Sequence, residues 1–206
     1  IKKPYLSRSY VSKRSVSEIL SERIPNTLVL ALTAMIFATI VGITLGVIAA
    51  TRPNSMLDRA CTTGSVLGIS FPSFFVGIIL QLVFAYLLAS VTGLNMTGDL
   101  YVTDGYTGEQ YLELRNLILP AIALGVRPVA VITQLTRSAM IDVMHNDYIR
   151  TARAKGLNER VILFRHALKN ALNPVVTSVS GWLASLLTGA FFIEAIFNYN
   201  GIGYET

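Results

Sequence analysis

The side chains that most often carry chemistry are few in this chain and lie far apart. The 206 residues include one cysteine, Cys61, and two histidines, His145 and His166. Enzymatic activity would need an acid pair, a histidine cluster or an activated nucleophile, and the apolar segments show none of these patterns. A lone cysteine forms no internal disulfide and no zinc cluster, and its usual role is that of a small apolar packing residue. The sequence therefore predicts no catalytic residue, no metal site and no cofactor held by this chain.

Two ionisable side chains stand inside long apolar segments, where a charge is costly and tends to mark a functional site. Arg127 lies next to Pro128 and is expected to face a bundle interior or a water-filled cavity rather than lipid. Glu194 lies near the end of the last apolar segment. It is either part of an outer gate or partner-binding surface, or an interfacial acid paired with a neighbouring helix. Ion-coupled secondary transport is disfavoured, because it calls for paired intramembrane acids or interrupted helices.

The segments that position these residues are long enough to cross a membrane. The chain is 52% hydrophobic and 14% charged, whereas soluble domains carry about 25% charged residues. A span needs about 20 apolar residues, and four segments meet that length: 26–50, 64–90, 116–136 and 172–197. Backbone groups in lipid must bond within their own segment, so these spans are predicted helices. The fold class expected from the sequence is all-α integral membrane.

Small residues recur at intervals of four along two predicted spans. Residues four apart lie on one helix face, and small faces let membrane helices approach closely. The rows are Ala34, Ala38, Gly42, Gly46 and Ala50 in the first span, and Gly181, Ser185 and Gly189 in the last. Pro72 and Pro128 lie within spans and are candidate bends, since proline removes a helical hydrogen bond.

Loop charge predicts which ends face the cytoplasm, because basic loops are retained inside. The loop 51–59 and the long segment 137–170 are rich in arginine and lysine, whereas the loop 91–115 is acidic. The first two are therefore predicted to be cytoplasmic and the third extracytoplasmic. Basic residues between 2 and 23 precede the first span and conflict with this orientation. An additional span upstream would resolve the conflict by carrying them across.

The segment 147–160 is too polar to span and falls on the predicted cytoplasmic face. Residues 148–155 are good helix formers without proline, and Gly156 predicts a helix end or turn. Ala152 and Gly156 are four apart, so a partner is expected to pack closely against that side. Three cations surround it: Arg150, Arg153 and Lys155. From physical arguments alone, a solvated loop kept inside by its charge is an equal alternative.

The run DYIRTARAKGL over residues 147–157, followed by HALKNALNP over 166–174, resembles the coupling segment of oligopeptide and dipeptide ABC permeases. In ABC importers this segment has the general form Glu-Ala-Ala, three residues, Gly, nine residues, then Ile-x-Leu-Pro. Ala152, Gly156 and Leu168 match that form. Four positions depart from it in the manner of the peptide-permease branch: Arg150, Thr151, His166 and Lys169.

The resemblance covers nearly the whole chain, with further similarity to B-type peptide permeases at 17–28, 57–59, 68–74, 119–121 and 192–203. It implies the type I ABC importer transmembrane fold. The chain would be a fragment that holds four spans of a six-span core and lacks the first and the last. Residues 1–25 would form an extracytoplasmic lead-in. Residues 26–206 would form the ABC permease transmembrane domain, with the coupling segment at 147–170.

The resemblance also implies partners in a bacterial or archaeal cytoplasmic membrane. A second permease subunit would complete the path, as a heterodimer, and an extracytoplasmic binding protein would deliver a short peptide. Two cytoplasmic ATPase subunits would bind ATP and magnesium and drive a switch between two states. They would contact these residues: Tyr148, Arg150, Thr151, Ala152, Arg153, Ala154, Lys155, Gly156 and Leu157. Arg127 and Glu194 would lie along the path or at a gate.

Several alternatives remain open at the level of the sequence. Carriers of nickel, glutathione or haem in the same branch look alike, and a channel or a secondary transporter is the main alternative in another class. The net charge of +5 is explained by loop sidedness, so no nucleic-acid partner is expected.

Overall fold

The computed structural model of the chain describes residues 13–205. The regular elements are α1 (Val16–Thr51), α2 (Met56–Ser70), α3 (Ser73–Leu80), α4 (Ala89–Thr92), β1 (Tyr101–Thr103), β2 (Gln110–Leu112), α5 (Arg115–Met144), α6 (Asp147–Ala154), α7 (Glu159–Val161) and α8 (Lys169–Phe197). The π-helical segments Gln81–Leu87 and Ile162–Leu168 continue α3 and α7, and a 3-10 helix spans Ile202–Glu205. Half of the predicted lead-in, residues 1–12, lies outside the described residues.

Within residues 13–205, three helices are long and apolar enough to cross a membrane: Val16–Thr51, Arg115–Met144 and the continuous run Glu159–Phe197. They contain the predicted spans 26–50, 116–136 and 172–197. Helix α5 runs on through Pro128, so the bend predicted there does not break the helix. The predicted helical membrane fold is thus confirmed for these three segments.

The second predicted span, 64–90, falls on a bent helical pair. Residues 56–70 and 73–87 form two helical arms that meet at an angle of 107°. The break falls at Phe71, which is extended with ψ of 136°, and at Pro72. Proline disfavours helical geometry in the preceding residue and donates no hydrogen bond. The bend predicted at Pro72 is therefore present, and the bent pair counts as a fourth span only if both arms are taken together.

The first small-residue row forms the seam between α1 and α5. All five of its residues, from Ala34 to Ala50, are buried. A Cβ on Gly42 would lie 2.7 Å from Ile132 Cγ2, and one on Gly46 would lie 2.8 Å from the Thr133 carbonyl oxygen. The helices approach too closely there for a larger residue, as the row predicts. The second row is exposed, and open space surrounds Gly181 and Gly189 among the described residues.

The loop between the second and third predicted spans contains a small antiparallel hairpin that the sequence analysis did not predict. Tyr101 pairs with Leu112, and Thr103 pairs with Gln110. Asp104 stabilises the connecting turn, where the amide of Tyr106 donates to its Oδ1 at 2.7 Å, and Gly108 has a φ of +69°. Between residues 13 and 205 the other regular elements are all helical.

The two ends of the bundle differ in charge. One end, the basic end, holds the α1–α2 loop, the end of α5 and the segment 145–168. Its core cluster joins Val47 and Ala50 of α1 to Ile149 and Ala152 of α6. The opposite, acidic end holds the hairpin, the start of α1 and residues 198–205. The loops predicted to share a side therefore do lie at the same end.

Candidate functional site

Helix α6 lies on the surface of the basic end and is held there by two buried side chains. Ile149 is fully buried and Ala152 is 6% exposed. Both pack in the core cluster with Met140 and with Ile162 and Ala167 of the following π-helical segment. Asp147 opens the helix, where a negative charge favours the N-terminus. The chain therefore presents α6 on a rigid support rather than as a free loop.

The C-terminus of α6 is closed by a Schellman motif at Gly156. The amide of Gly156 donates to the carbonyl oxygen of Arg153 at 2.9 Å, and that of Leu157 donates to Ala152 O at 3.3 Å. Gly156 has a φ of +76°, a left-handed conformation that favours glycine. Among the described residues other than its two chain neighbours, no atom lies within 4 Å of where its Cβ would be. The predicted helix stop at Gly156 is confirmed, and its cause within this chain is backbone conformation rather than close packing.

The remaining predicted coupling residues form the exposed face of α6 and its C-terminal turn. Arg153 Nε donates to Glu159 Oε1 at 2.8 Å, and Arg150 lies 3.4 Å from Asp147. Ala152 is an exception, because it is buried in the core of this chain and is not available at the surface. The exposed set is Tyr148, Arg150, Thr151, Arg153, Ala154, Lys155, Gly156 and Leu157.

An ion pair that the sequence analysis missed joins α2 to α5 near the basic end. Arg137 donates from Nε to Asp58 Oδ1, and its second nitrogen donates to Oδ2 at 2.7 Å. The Asp58 side chain is 4% exposed and the Arg137 side chain 28%. The Asn54 amide also donates to Asp58 Oδ2, at 2.8 Å. Such a bidentate, well-shielded pair fixes the angle between its two helices.

Glu194 is fully buried at the acidic end and is bonded to groups distant in sequence. Thr27 Oγ1 donates to Glu194 Oε1 at 2.6 Å, and the amide of Gly203 donates to Oε2 at 2.7 Å. Thr27 Oγ1 in turn accepts from the amide of Ile202 at 3.0 Å. A Cβ on Gly201 would overlap the Glu194 carboxyl group. Glu194 is thus paired with Thr27 of α1 and with the 3-10 helix that follows α8, and its predicted role at an outer gate stays a prediction.

Two further side chains tie the same end together. Tyr199 is fully buried, and its hydroxyl donates to the carbonyl oxygen of Asn26 at 3.1 Å. Burial raises the pKa of Tyr199 above the usual value of a phenol, so this bond also persists at alkaline pH. Asn26 Nδ2 donates to Asn200 O at 2.8 Å. We call the set Asn26, Thr27, Glu194, Tyr199 and Gly203 the Glu194 network.

Arg127 is exposed on α5 between two buried or half-buried neighbours. Among the described residues its side chain has no hydrogen bond and no ion pair. Its predicted position along a path stays a prediction.

The described residues contain no group of three or more histidine, cysteine, aspartate or glutamate side chains arranged to hold a metal ion. Cys61 is half-buried, and His145 bonds through Nδ1 to the carbonyl oxygen of Ile141 at 2.7 Å. Since a carbonyl only accepts, Nδ1 carries the proton.

Long apolar helices, one bent helical pair and a surface helix at the basic end define a multispan helical membrane domain. The chain belongs to the family described as binding-protein-dependent transport system inner membrane component, which matches residues 42–206. The family is one of transport permeases located in the inner membrane.

Curated relatives align along most of the chain. It is 42% identical to the dipeptide transport system permease protein DppB of Bacillus subtilis, over 92% of this chain and 56% of the relative. It is 40% identical to the di/tripeptide permease DppB of Pseudomonas aeruginosa, over 96% of this chain and 63% of the relative. It is 38% identical to the glutathione permease GsiC of Salmonella choleraesuis, over 95% of this chain and 59% of the relative. The chain spans less than two thirds of the length of these relatives.

Two solved structures share the fold. The MetNI methionine ABC transporter, in inward-facing conformations, superposes with a TM-score of 0.69 at 17% identity, covering 92% of this chain and 79% of that one. An amino acid ABC transporter solved with histidines gives a TM-score of 0.63 at 12% identity, covering 100% of this chain and 81% of that one. The predicted type I ABC importer transmembrane fold is confirmed by these likenesses.

Proposed function

We propose that this chain forms part of the membrane path of an ATP-driven importer of short peptides. The identities of 42% to a dipeptide permease and 40% to a di/tripeptide permease support this substrate class. The partners we propose are a second permease subunit in a heterodimer, an extracytoplasmic binding protein and two cytoplasmic ATPase subunits. ATP and magnesium belong to the ATPases, and this chain contributes no catalytic residue.

The observation that carries the coupling role is the placement of α6. The helix is anchored from within by Ile149 and Ala152, while its other face is left exposed together with Leu157. An exposed helix that is fixed to the ends of α1 and α5 can transmit the movement of a bound protein to the membrane helices. We therefore propose that the exposed face of α6 docks into a groove on an ATPase subunit at the cytoplasmic face. A solvated loop retained only by charge would not need an apolar anchor.

The test is uptake of a labelled dipeptide by cells that express the full-length permease with its partners. Uptake should require the ATPase subunits and should be competed by unlabelled di- and tripeptides. Uptake that persists without the ATPases would favour a channel or a secondary transporter and contradict the proposal.

Competition also separates the related substrates. A glutathione permease is among the relatives, at 38% identity, whereas nickel and haem carriers rest on the sequence resemblance. Labelled dipeptide uptake that is blocked by glutathione but not by other tripeptides would reassign the substrate.

A further inference from the structure

A cleft of 740 Å³ opens at the basic end of the bundle. It lies between the α1–α2 loop, the end of α5 and the turn that leads from α6 into α7. Its lining combines an apolar wall with cationic side chains. The apolar wall includes Ala50, Ile141, Met144 and Leu163, and the charged lining consists of Arg52, Arg153, Glu159 and Arg160.

The cleft carries an excess of positive charge. Arg153 is neutralised by its 2.8 Å bond to Glu159. Arg52 and Arg160 are both exposed, and among the described residues neither guanidinium group has a hydrogen bond or an ion pair. Two unpaired guanidinium groups in one concave site form a geometry suited to a phosphate, because each can donate several hydrogen bonds to its oxygens.

The level of the cleft relative to the membrane points to the source of that phosphate. Arg52 directly follows the last turn of α1, and Ala50 on the cleft wall ends the buried apolar row of that helix. The part of the cleft formed by Ala50 thus adjoins the predicted hydrocarbon boundary, and Arg52 lies beyond it. Basic pockets between membrane helices on the cytoplasmic side bind lipid head groups in this way.

We propose that this cleft binds the phosphate of an anionic phospholipid from the adjacent leaflet. Arg52 and Arg160 hold the phosphodiester, and the apolar wall formed by Ile141, Met144 and Leu163 receives the first part of an acyl chain. The cleft borders the exposed face of α6 through Arg153, but Arg52 and Arg160 are not among the predicted coupling residues, and the site does not depend on the identity of the transported substrate. It does rest on the membrane placement of α1.

The experiment uses the purified full-length permease in complex with its partner subunits. Dioctanoyl-phosphatidylglycerol, dioctanoyl-phosphatidylcholine and inorganic phosphate are titrated separately, and the thermal midpoint of the complex is followed for each. The test variant is Arg52→Gln/Arg160→Gln. The control variant is Arg59→Gln/Arg165→Gln, which removes the same charge from two exposed residues outside the cleft.

Phosphatidylglycerol is expected to raise the midpoint of the wild type and the control variant, and phosphatidylcholine is not. Each basic residue near an anionic surface contributes about 1 kcal/mol, so the test variant should bind phosphatidylglycerol about thirtyfold more weakly. Each midpoint is compared with that of the same variant without lipid, so a change in basal stability does not obscure the affinity.

Three results would overturn the proposal. Equal phosphatidylglycerol affinity in the test and control variants would show that the cleft does not bind the lipid. If inorganic phosphate alone raised the thermal midpoint as much as phosphatidylglycerol does, the cleft would be a binding site for free phosphate. Loss of the ATPase subunits from the test variant, with lipid affinity unchanged, would assign the two arginines to a protein interface.

Discussion

Replacement of Gly156 separates two reasons why a glycine is needed at the end of α6. The residue has a φ of +76°, which costs an ordinary L-residue about 1–2 kcal/mol. Asparagine tolerates this conformation better than alanine does. Apart from its two chain neighbours, no atom of the described chain lies within 4 Å of the Cβ position. A larger side chain at this position therefore meets no steric obstacle until a partner protein approaches. Gly156→Ala thus tests whether the left-handed backbone conformation is needed. Gly156→Trp tests in addition whether a docking partner comes close to this position.

The expected order of ATPase binding is wild type, Gly156→Asn, Gly156→Ala and then Gly156→Trp. A conformational cost of about 1.4 kcal/mol weakens docking about tenfold in the alanine variant. The tryptophan variant should lose ATPase co-purification and dipeptide uptake, with membrane insertion intact because the site lies beyond the end of α5. Gly105→Ala is the control, since its Cβ position is also open and its φ is not in the left-handed range.

Affinity for the ATPase subunits is measured by titration against the detergent-solubilised full-length permease. Equal affinity of the tryptophan and alanine variants would show that no partner surface comes close to Gly156, which refutes its place in the interface. An alanine variant as tight as wild type would show that the left-handed turn is dispensable.

Three further outcomes are expected. Gly201→Ala should lower the thermal midpoint in detergent, because a Cβ there overlaps a buried carboxyl group and overpacking costs about 1–3 kcal/mol. Asp58→Asn should destabilise the protein by about 2–3 kcal/mol, because a shielded guanidinium group loses its anionic partner, and an unchanged midpoint would contradict this. In intact cells with Cys61→Ala, a cysteine at Thr107 should react with an impermeant thiol reagent and one at Asn158 should not. The opposite labelling would reverse the predicted sidedness.

Features that depend on neighbouring residues were predictable from the sequence. The α1 row of small residues indicates a packed helix face by its spacing alone, and the structure confirms this at Gly42 and Gly46. Helix α6 and its end at Gly156 follow from helix propensity and from the ease with which glycine adopts a positive φ. Pro72 indicates a bend, although the size of the bend depends on how the two arms pack.

Features that join distant parts of the chain were not predictable. Thr27 and Glu194 are 167 residues apart, and Asp58 and Arg137 are 79 apart, so no local pattern pairs them. The burial of Ala152 depends on where the following π-helical segment folds. The hairpin strands have three residues each, which is too short for an alternating pattern to be recognised.

Helix α1 is a single rod of 36 residues, about 54 Å long at 1.5 Å per residue. This exceeds the hydrocarbon thickness of about 30 Å, so the helix extends beyond the bilayer at its N-terminal end. About a third of the way along the helix, Thr27 is bonded to Glu194. Near its inner end Val47 packs in the cluster that contains Ile149 of α6. We expect a displacement of α6 that preserves this packing to tilt α1 as a rigid body. The same tilt then moves the buried acid and the loop it holds on the far side of the membrane.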